Sequence, residues 1–262
     1  MIELTGTGRT FTTRRGPVEA LRGIDLSVAT GEFLAVIGRS GCGKSTLLRL
    51  IAGLLRPTAG QVTVAGTPIT RPRKDIALMF QRPALLPWRS VLTNVLLPLE
   101  IRGSVRPADS ERARALLDAA GLAGFHRRLP HELSGGMQQR VALCRALMQR
   151  PSVLLMDEPF SALDALTREE LAGQLQQLHV ELRPTTVFVT HSIQEAVLLA
   201  DRVAVLSSRP GRVQRILSVD IPRPRSFGHN AHLADVAAHV AELTDLLHAN
   251  DAPAPLHVPG PA

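Results

Sequence analysis

The stretch Gly38-Arg39-Ser40-Gly41-Cys42-Gly43-Lys44-Ser45 follows at once on the apolar run Phe33-Leu34-Ala35-Val36-Ile37 and leads into an apolar-striped segment, predicted helical from about Ser45 to Leu55. This order of elements restricts the fold more than anything else in the chain. A strand apolar at every position must be covered on both faces, as in parallel sheets flanked by helices. The eight residues that follow fit G-x-x-x-x-G-K-[ST]. Their glycines let the backbone curl until successive N–H groups point at one anion. The helix N-terminus adds free N–H groups and a partial positive charge. Lys44 supplies a full charge for outer phosphates, and the Ser45 hydroxyl is a hard oxygen ligand for Mg²⁺. A chance glycine turn is the bland alternative, and the flanking strand and helix argue against it.

Three more continuous apolar runs occur: Val153-Leu154-Leu155-Met156, Thr186-Val187-Phe188-Val189 and Val203-Ala204-Val205-Leu206. Helical patterns follow the first two, over Thr167 to Leu182 and Ser192 to Ala200. Buried strands alternating with helices predict a mostly parallel sheet covered on both sides. The N-terminal segments Ile2-Glu3-Leu4, Gly23 to Val28 and Gln61 to Val64 instead alternate apolar with polar, as half-exposed antiparallel strands do. Between about residues 87 and 150 the pattern is helical only, clearest over Ser110 to Ala120 and Ser134 to Gln149, and reads as a lobe inserted into the sheet domain, which spans 1–221. Residues 222–262 form an extension with a short helix at about Ala231 to His248. Its end, Ala252 to Ala262, is rich in Pro and Ala and expected to be disordered.

Composition removes several classes. No segment approaches some 18 uninterrupted apolar residues, so no membrane-spanning helix is expected. The first residues lack a basic stretch followed by an apolar run, so no secretory leader is expected and the chain is placed in the cytosol. The two cysteines, Cys42 and Cys144, have no ligand-spaced partner for zinc and are expected to stay reduced. The net charge of +7 arises from scattered arginines without interleaved aromatics, and Tyr is absent. We read it as a solvated surface rather than a nucleic-acid groove.

Two further motifs accompany the glycine cradle. The apolar strand at Val153 ends in Asp157-Glu158, placing two carboxylates at the edge of a parallel sheet where ligands bind. Asp157 is positioned for the magnesium shell and Glu158 to polarise a water for attack on a γ-phosphate. Solvated acids at a strand end are the plain alternative. Leu133-Ser134-Gly135-Gly136-Met137-Gln138-Gln139-Arg140 opens a helix, with Ser134 as a candidate N-cap and two glycines exposing N–H groups. It is a second anion nest, and its spacing does not say where it points.

With these residues in hand, residues 1 to 215 resemble the nucleotide-binding subunits of ABC transporters. The resemblance implies an α/β P-loop NTPase (RecA-like) fold: a mostly parallel sheet core, an N-terminal antiparallel β subdomain and an inserted α-helical subdomain. It implies that Leu133 to Gln138 form the signature that closes, in trans, on ATP held by a second copy of the chain along Gly38 to Thr46. It further implies that Gln81 is the Q-loop glutamine that touches magnesium, and that Ser161-Ala162-Leu163-Asp164 is the D-loop at the dimer interface. Thr190-His191 resembles the switch histidine, and Phe11 corresponds to the aromatic stacked on adenine. Met137 departs from the usual Gln of the signature, and Cys144 stands where Ala is common. The implied cofactors are ATP and Mg²⁺. Lys44, Gln81, Glu158 and His191 are implied as catalytic, and Ser45, Gln81 and Asp157 as metal-side residues. Cys42, inside the cradle, is expected to be thiol-sensitive and protected by ATP.

Pro83 to Val91, then Asn94-Val95, together with Met137 and Ser208-Arg209-Pro210-Gly211-Arg212, resemble the branch serving nitrate, sulfonate and taurine importers. That implies a small anionic solute, a separate membrane permease docked near the Q-loop, an extracytoplasmic solute-binding protein acting indirectly, and a peripheral place on the cytoplasmic face of the inner membrane. Trp88 is either part of that docking contact or lobe core. The competing readings are an ABC exporter subunit for lipid or lipoprotein and a soluble ABC ATPase acting on nucleic acid. The latter usually carries coiled coils, zinc modules or a second cassette, none of which this sequence contains.

Overall fold

Strand β3 (Phe33–Ile37) explains why the sequence is apolar without a break there. In the computed structural model, which describes residues 1–161, 163–223, 225 and 232–249, all five of its residues are buried. Phe33, Ala35 and Ile37 enter one core and Leu34 and Val36 the other. The strand is the centre of a six-stranded sheet, so each face needs its own cover.

The chain builds towards and away from that strand. β1 (Ile2–Thr13) and β2 (Gly16–Val28) form an antiparallel pair, β3 follows, and α1 (Lys44–Ile51) covers one face of the sheet. β4 (Ala59–Val64) and β5 (Thr67–Pro68) complete a four-stranded antiparallel sheet in the order β2-β1-β4-β5. β6 (Ile76–Met79) returns to the main sheet. Next come α2 (Val91–Glu100), α3 (Pro107–Ala119), a short turn of 3₁₀ helix at Pro130–Glu132, and α4 (Gly135–Leu147). β7 (Val153–Asp157), α5 (Ala165–Leu182), β8 (Thr185–Val189), α6 (Ile193–Leu199), β9 (Arg202–Leu206), β10 (Val213–Ser218) and α7 (Leu233–Ala249) finish the described chain. The main sheet runs β10-β9-β3-β8-β7-β6, parallel except for the antiparallel edge strand β10.

The expected architecture is therefore found: a parallel core, an antiparallel β subdomain and an inserted group of helices. The sheet face carrying Phe188, Leu154 and Met156 is covered by apolar residues of α4, α5, α6 and α7. The face carrying Leu155, Val187 and Val189 is covered by α1 and by Ile2, Leu4, Leu26 and Val62 of the antiparallel sheet. Helix α4 has two faces at work. Leu143 and Leu147 pack on the main sheet, whereas Val141 and Cys144 join α2 and α3 in a separate helical core. Helix α4 thus joins the inserted helices to the sheet.

Some boundaries differ from expectation. Helix α1 ends at Ile51 rather than Leu55. Helix α2 falls within the stretch expected to be helical, but Pro98 inside it obscures its bounds. Its stability comes from Ser90 as N-cap and from buried Asn94, whose amide donates to the carbonyls of Leu86, Arg89 and Ser90 at 3.0–3.1 Å. The short strands β6 and β10 also went unread. The helix of the C-terminal extension runs from Leu233 and buries Leu243 completely against the main core. Ala162 and the Ala252 to Ala262 tail lie outside the described residues. No helix among the described residues is long and apolar enough to cross a membrane.

Because Leu243 ties α7 to that core, Leu243→Ala should destabilise the protein by about 2–5 kcal/mol. Urea unfolding checks this, and a wild-type midpoint would mean that α7 does not contribute to the folded unit.

Candidate functional site

Three neighbouring parallel strands, β3, β8 and β7, end at one edge of the sheet, and each hands the chain to a polar group. After β3 comes the cradle. Gly43 occupies φ +106°, and an added Cβ there would lie 2.6 Å from Leu21 Cδ2 and 2.9 Å from the Ala20 carbonyl. Only glycine fits, so the turn can tuck beneath β2 and aim its amides outward. Lys44 is 6% exposed, and its ammonium donates to the carbonyls of Gly38 (2.7 Å) and Arg39 (3.1 Å).

After β7 come the two carboxylates. Asp157 Oδ1 accepts a 2.9 Å hydrogen bond from Ser45 Oγ. Burial pushes its pKa up, opposed by the Ser45 hydrogen bond and raised further by the neighbouring Glu158 charge. Glu158 holds a left-handed backbone, φ +46°, uncommon for a residue with a Cβ. Its N–H donates to the Val189 carbonyl at 2.9 Å, and its own carbonyl accepts from Ser161 Oγ at 3.0 Å. These bonds hold a carboxylate with one oxygen 3.9 Å from Lys44 Nζ and the other 3.3 Å from His191 Nδ1.

After β8 comes Thr190-His191. Buried Thr190 donates through its hydroxyl to buried Glu195 at 2.5 Å and accepts from Ser192 N–H at 3.0 Å. Burial raises the Glu195 pKa, with Arg168 at 3.6 Å opposing. The histidine ring itself is largely exposed. The Thr190 hydrogen bonds fix the turn, and the ring reaches from it to Glu158 while staying open to solvent.

A cavity of about 610 Å³ opens at this edge. Ser40, Gly41, Lys44, Ser45, Thr46 and Glu158 line it on the phosphate side, with Gln81 beside them. Phe11 lines the other end with Val18 and Ala20 of β2, and the Arg9 guanidinium sits 4.7 Å over its ring. An aromatic face, two small apolar residues and a glycine cradle in one cavity suit a nucleotide from base to phosphate. Ser45 and Gln81 bring a hydroxyl and an amide oxygen to the cavity's phosphate end, and the Asp157 carboxylate stands directly behind Ser45. This is a donor set Mg²⁺ accepts when phosphate oxygens and water supply the rest. Among the described residues no cluster of three or more His, Cys, Asp or Glu would cage a metal by itself.

The predicted signature stands apart. Ser134 caps α4 by accepting from Met137 N–H at 3.3 Å, and Gly135 and Gly136 form the first turn. Gly136 packs against Thr167, where an added Cβ would lie 2.5 Å from its methyl. Leu133 is buried, Met137 packs on the helical core, and the Gln138 amide donates to the Pro130 and Leu133 carbonyls. None of these residues lines the cradle cavity. Asp164 caps α5 through Thr167 N–H at 3.0 Å and the Thr167 hydroxyl at 2.7 Å. Within one chain, then, cradle, carboxylates and histidine converge while the second nest points elsewhere.

Two expectations change. The Cys42 side chain is 1% exposed and packs in the core beneath the cradle, with Leu21, Leu47 and Leu206. Burial raises its thiol pKa, so the expected thiol sensitivity is withdrawn; its N–H donates to the Arg39 carbonyl at 3.2 Å, and Cys42 does not line the cavity described above. Trp88 is 72% exposed, which removes the lobe-core alternative. Some residues that join the site were missed. Gln139 is buried in α4 and donates to the Pro159 carbonyl at 2.6 Å and weakly to that of Gln81 at 3.5 Å, linking signature helix, acidic loop and Q-loop. Ser161 bridges Gln81 and Glu158. Gln139 lay inside the second glycine motif, but its contacts are tertiary and leave no mark in spacing.

Comparison with known proteins agrees with this geometry. Residues 21–161 match the family model for ABC transporters. The nitrate import ATP-binding protein NrtD of Synechocystis sp. is 46% identical over 221 residues, which is 84% of this chain and 83% of that protein. The taurine import ATP-binding protein TauB of Burkholderia thailandensis is 46% identical over 220 residues, 84% of this chain and 85% of the other. A solved dimeric ATP-binding cassette in a post-hydrolysis state with ADP and Pi superposes with a TM-score of 0.76 at 34% identity, over 87% of this chain and all of that one.

Two measurements follow from the buried groups. The folded-state pKa of Asp157 lies above its unfolded value, so the ionised carboxylate costs stability. That cost appears as pH rises through the carboxylate range and is complete above the folded pKa. Asp157→Asn should therefore raise the urea midpoint of nucleotide-free protein at pH 7 and leave it little changed near pH 3; a lower midpoint at pH 7 would contradict the assignment. Native protein should present no thiol to a colorimetric reagent, against two after denaturation. Rapid native labelling of Cys42, blocked by ATP, would restore the discarded expectation.

Proposed function

The chain belongs to the ABC transporter family, and on that premise we propose that it powers import of a small anionic solute, of the nitrate, sulfonate or taurine class, through a separate permease. As a member of that family it binds and hydrolyses ATP. The observation that carries the residue assignment is the Glu158 carboxylate, held in a left-handed backbone between Lys44 at 3.9 Å and His191 at 3.3 Å at the mouth of the cradle cavity. A carboxylate so placed meets water and a γ-phosphate together.

In this reading, the amides from Gly38 to Thr46 wrap the phosphates, and Phe11 supports the base. Lys44 exchanges its backbone carbonyl partners for phosphate oxygens. Ser45, Asp157 and Gln81 hold Mg²⁺, which when bound neutralises phosphate charge. Glu158 accepts a proton from the attacking water, and His191 keeps that carboxylate and the water aligned. The negative charge that develops is met by Lys44 and by preorganised N–H groups. Breakage of the terminal P–O bond leaves ADP and phosphate, with no covalent intermediate. The Ser134-Gly135-Gly136 nest lies outside the cavity of its own chain and completes the site of a second copy, with Asp164 near the contact. Closure of that pair reaches the permease through Gln81, Gln139 and α4. Exposed Trp88 and Phe80 lie on the adjoining surface and supply apolar contact area for the permease. The place of work is the cytoplasmic face of the membrane, with a solute-binding protein on the other side choosing the solute. The solute class rests on the relatives that import nitrate and taurine.

Glu158→Gln should retain ATP binding, lose turnover by about 10²–10⁴-fold, and accumulate as an ATP-dependent dimer in sedimentation. A variant with normal turnover would remove Glu158 from the role of base. Tagged chain should bring down a multi-span permease together with a solute-binding protein. A permease with a large extracytoplasmic domain and no binding protein would replace import by export.

A further inference from the structure

The loop Ser207 to Arg212, between β9 and β10, sends one side chain, Arg209, into the lining of the nucleotide cavity, where the proposed mechanism gives it no role. The loop is tightly built. Ser207 N–H donates to the Arg212 carbonyl at 2.9 Å, and Arg212 N–H returns to Ser207 Oγ at 3.0 Å. The loop is also pinned between β2 and the cradle. Gly211 N–H donates to the Ala20 carbonyl at 2.9 Å, and the Gly211 carbonyl accepts from Arg22 N–H at 3.0 Å. On its other side Gly211 lies so close to the cradle that a Cβ would fall 2.1 Å from the Cys42 carbonyl oxygen. This placement fixes where Arg209 sits. Its Nε–H donates to the Gly41 carbonyl at 3.1 Å, and the side chain lines the same cavity as Ser40, Lys44 and Ser45.

Arg209 is exposed, and among the described residues no carboxylate pairs with it. A guanidinium carries five N–H donors in a planar fork. One is spent on Gly41, leaving the terminal nitrogens for a ligand. Their cavity already contains one cation, Lys44, and a backbone turn shaped for an anion. Glu158 is the one carboxylate in that lining, so two cations and a set of amides outweigh it until a polyanion enters. We propose that Arg209 is a nucleotide-binding residue of this chain, contacting the phosphate chain of the nucleotide from the side opposite Lys44 and independently of the base. The inference rests on the nucleotide reading of the cavity.

The test is titration of the full chain with MgADP and with MgGDP, neither of which is consumed, for wild type, Arg209→Ala and Arg209→Lys. Arg209→Ala should weaken both nucleotides by the same factor, about tenfold, as expected for one partly screened charge-assisted contact. Arg209→Lys should recover part of the loss, and the urea midpoint of nucleotide-free protein should not move. Unchanged affinity in Arg209→Ala would overturn the proposal. So would a loss confined to one base, which would assign Arg209 to the base instead. An equal loss in the lysine variant, or a falling nucleotide-free midpoint, would make the arginine only a tether for its loop. Wild type that binds neither nucleotide would remove the nucleotide reading itself, a result distinct from each of these.

Discussion

A buried ammonium with one loosely placed carboxylate as its ionic partner is the feature around which this molecule is arranged. Lys44 is almost wholly removed from solvent and donates only to the carbonyls of its own turn. The nearest acid, Glu158, stays 3.9 Å away. An ammonium in that state costs free energy unless an anion comes to it. The turn that buries it also points amides outward, so a polyphosphate satisfies lysine and backbone together. The tight approach of Gly43 to β2 and of Gly211 to Cys42 makes such burial possible, and both places exclude any side chain.

The parallel sheet then does the positioning. β3, β7 and β8 lie side by side, so the residues that follow each of them arrive at one edge within hydrogen-bond reach. Antiparallel neighbours would have sent them to opposite edges. The bonds Ser45–Asp157 and His191–Glu158 are direct consequences of that arrangement. The antiparallel sheet contributes the wall that carries Phe11, Val18 and Ala20, and α4 joins the inserted helices to the sheet while its Gln139 reaches the acidic loop.

Much of this could be read from local sequence because the relevant signals are local. β3, β7, β8 and β9 are apolar on successive residues because both faces are covered, and such runs stand out. The cradle is a contiguous pattern whose glycines have a stereochemical reason. What was missed depends on tertiary surroundings. β10 is half-exposed and too short to show alternation. The bounds of helix α2 are obscured by Pro98, and its stability rests on Asn94 bonding to a loop outside it. Cys42 sits within a binding motif, yet its side chain packs in the core with Leu21, Leu47 and Leu206. Arg209 was noticed as part of a run, but its place beside Gly41 follows from the pairing of Gly211 with β2.

The nest at Ser134 to Gly136 lies outside the cavity formed by its own cradle, and in the proposed function it completes the site of a second copy. Hydrolysis should then require two chains. The most direct measurement is ATP turnover per chain as the protein is diluted at saturating MgATP. Turnover per chain should fall with dilution and become proportional to chain concentration, the total rate going as its square, once active pairs are the minority. Turnover per chain that stays constant through the range where sedimentation shows only monomer would contradict it and place a complete catalytic site within a single chain.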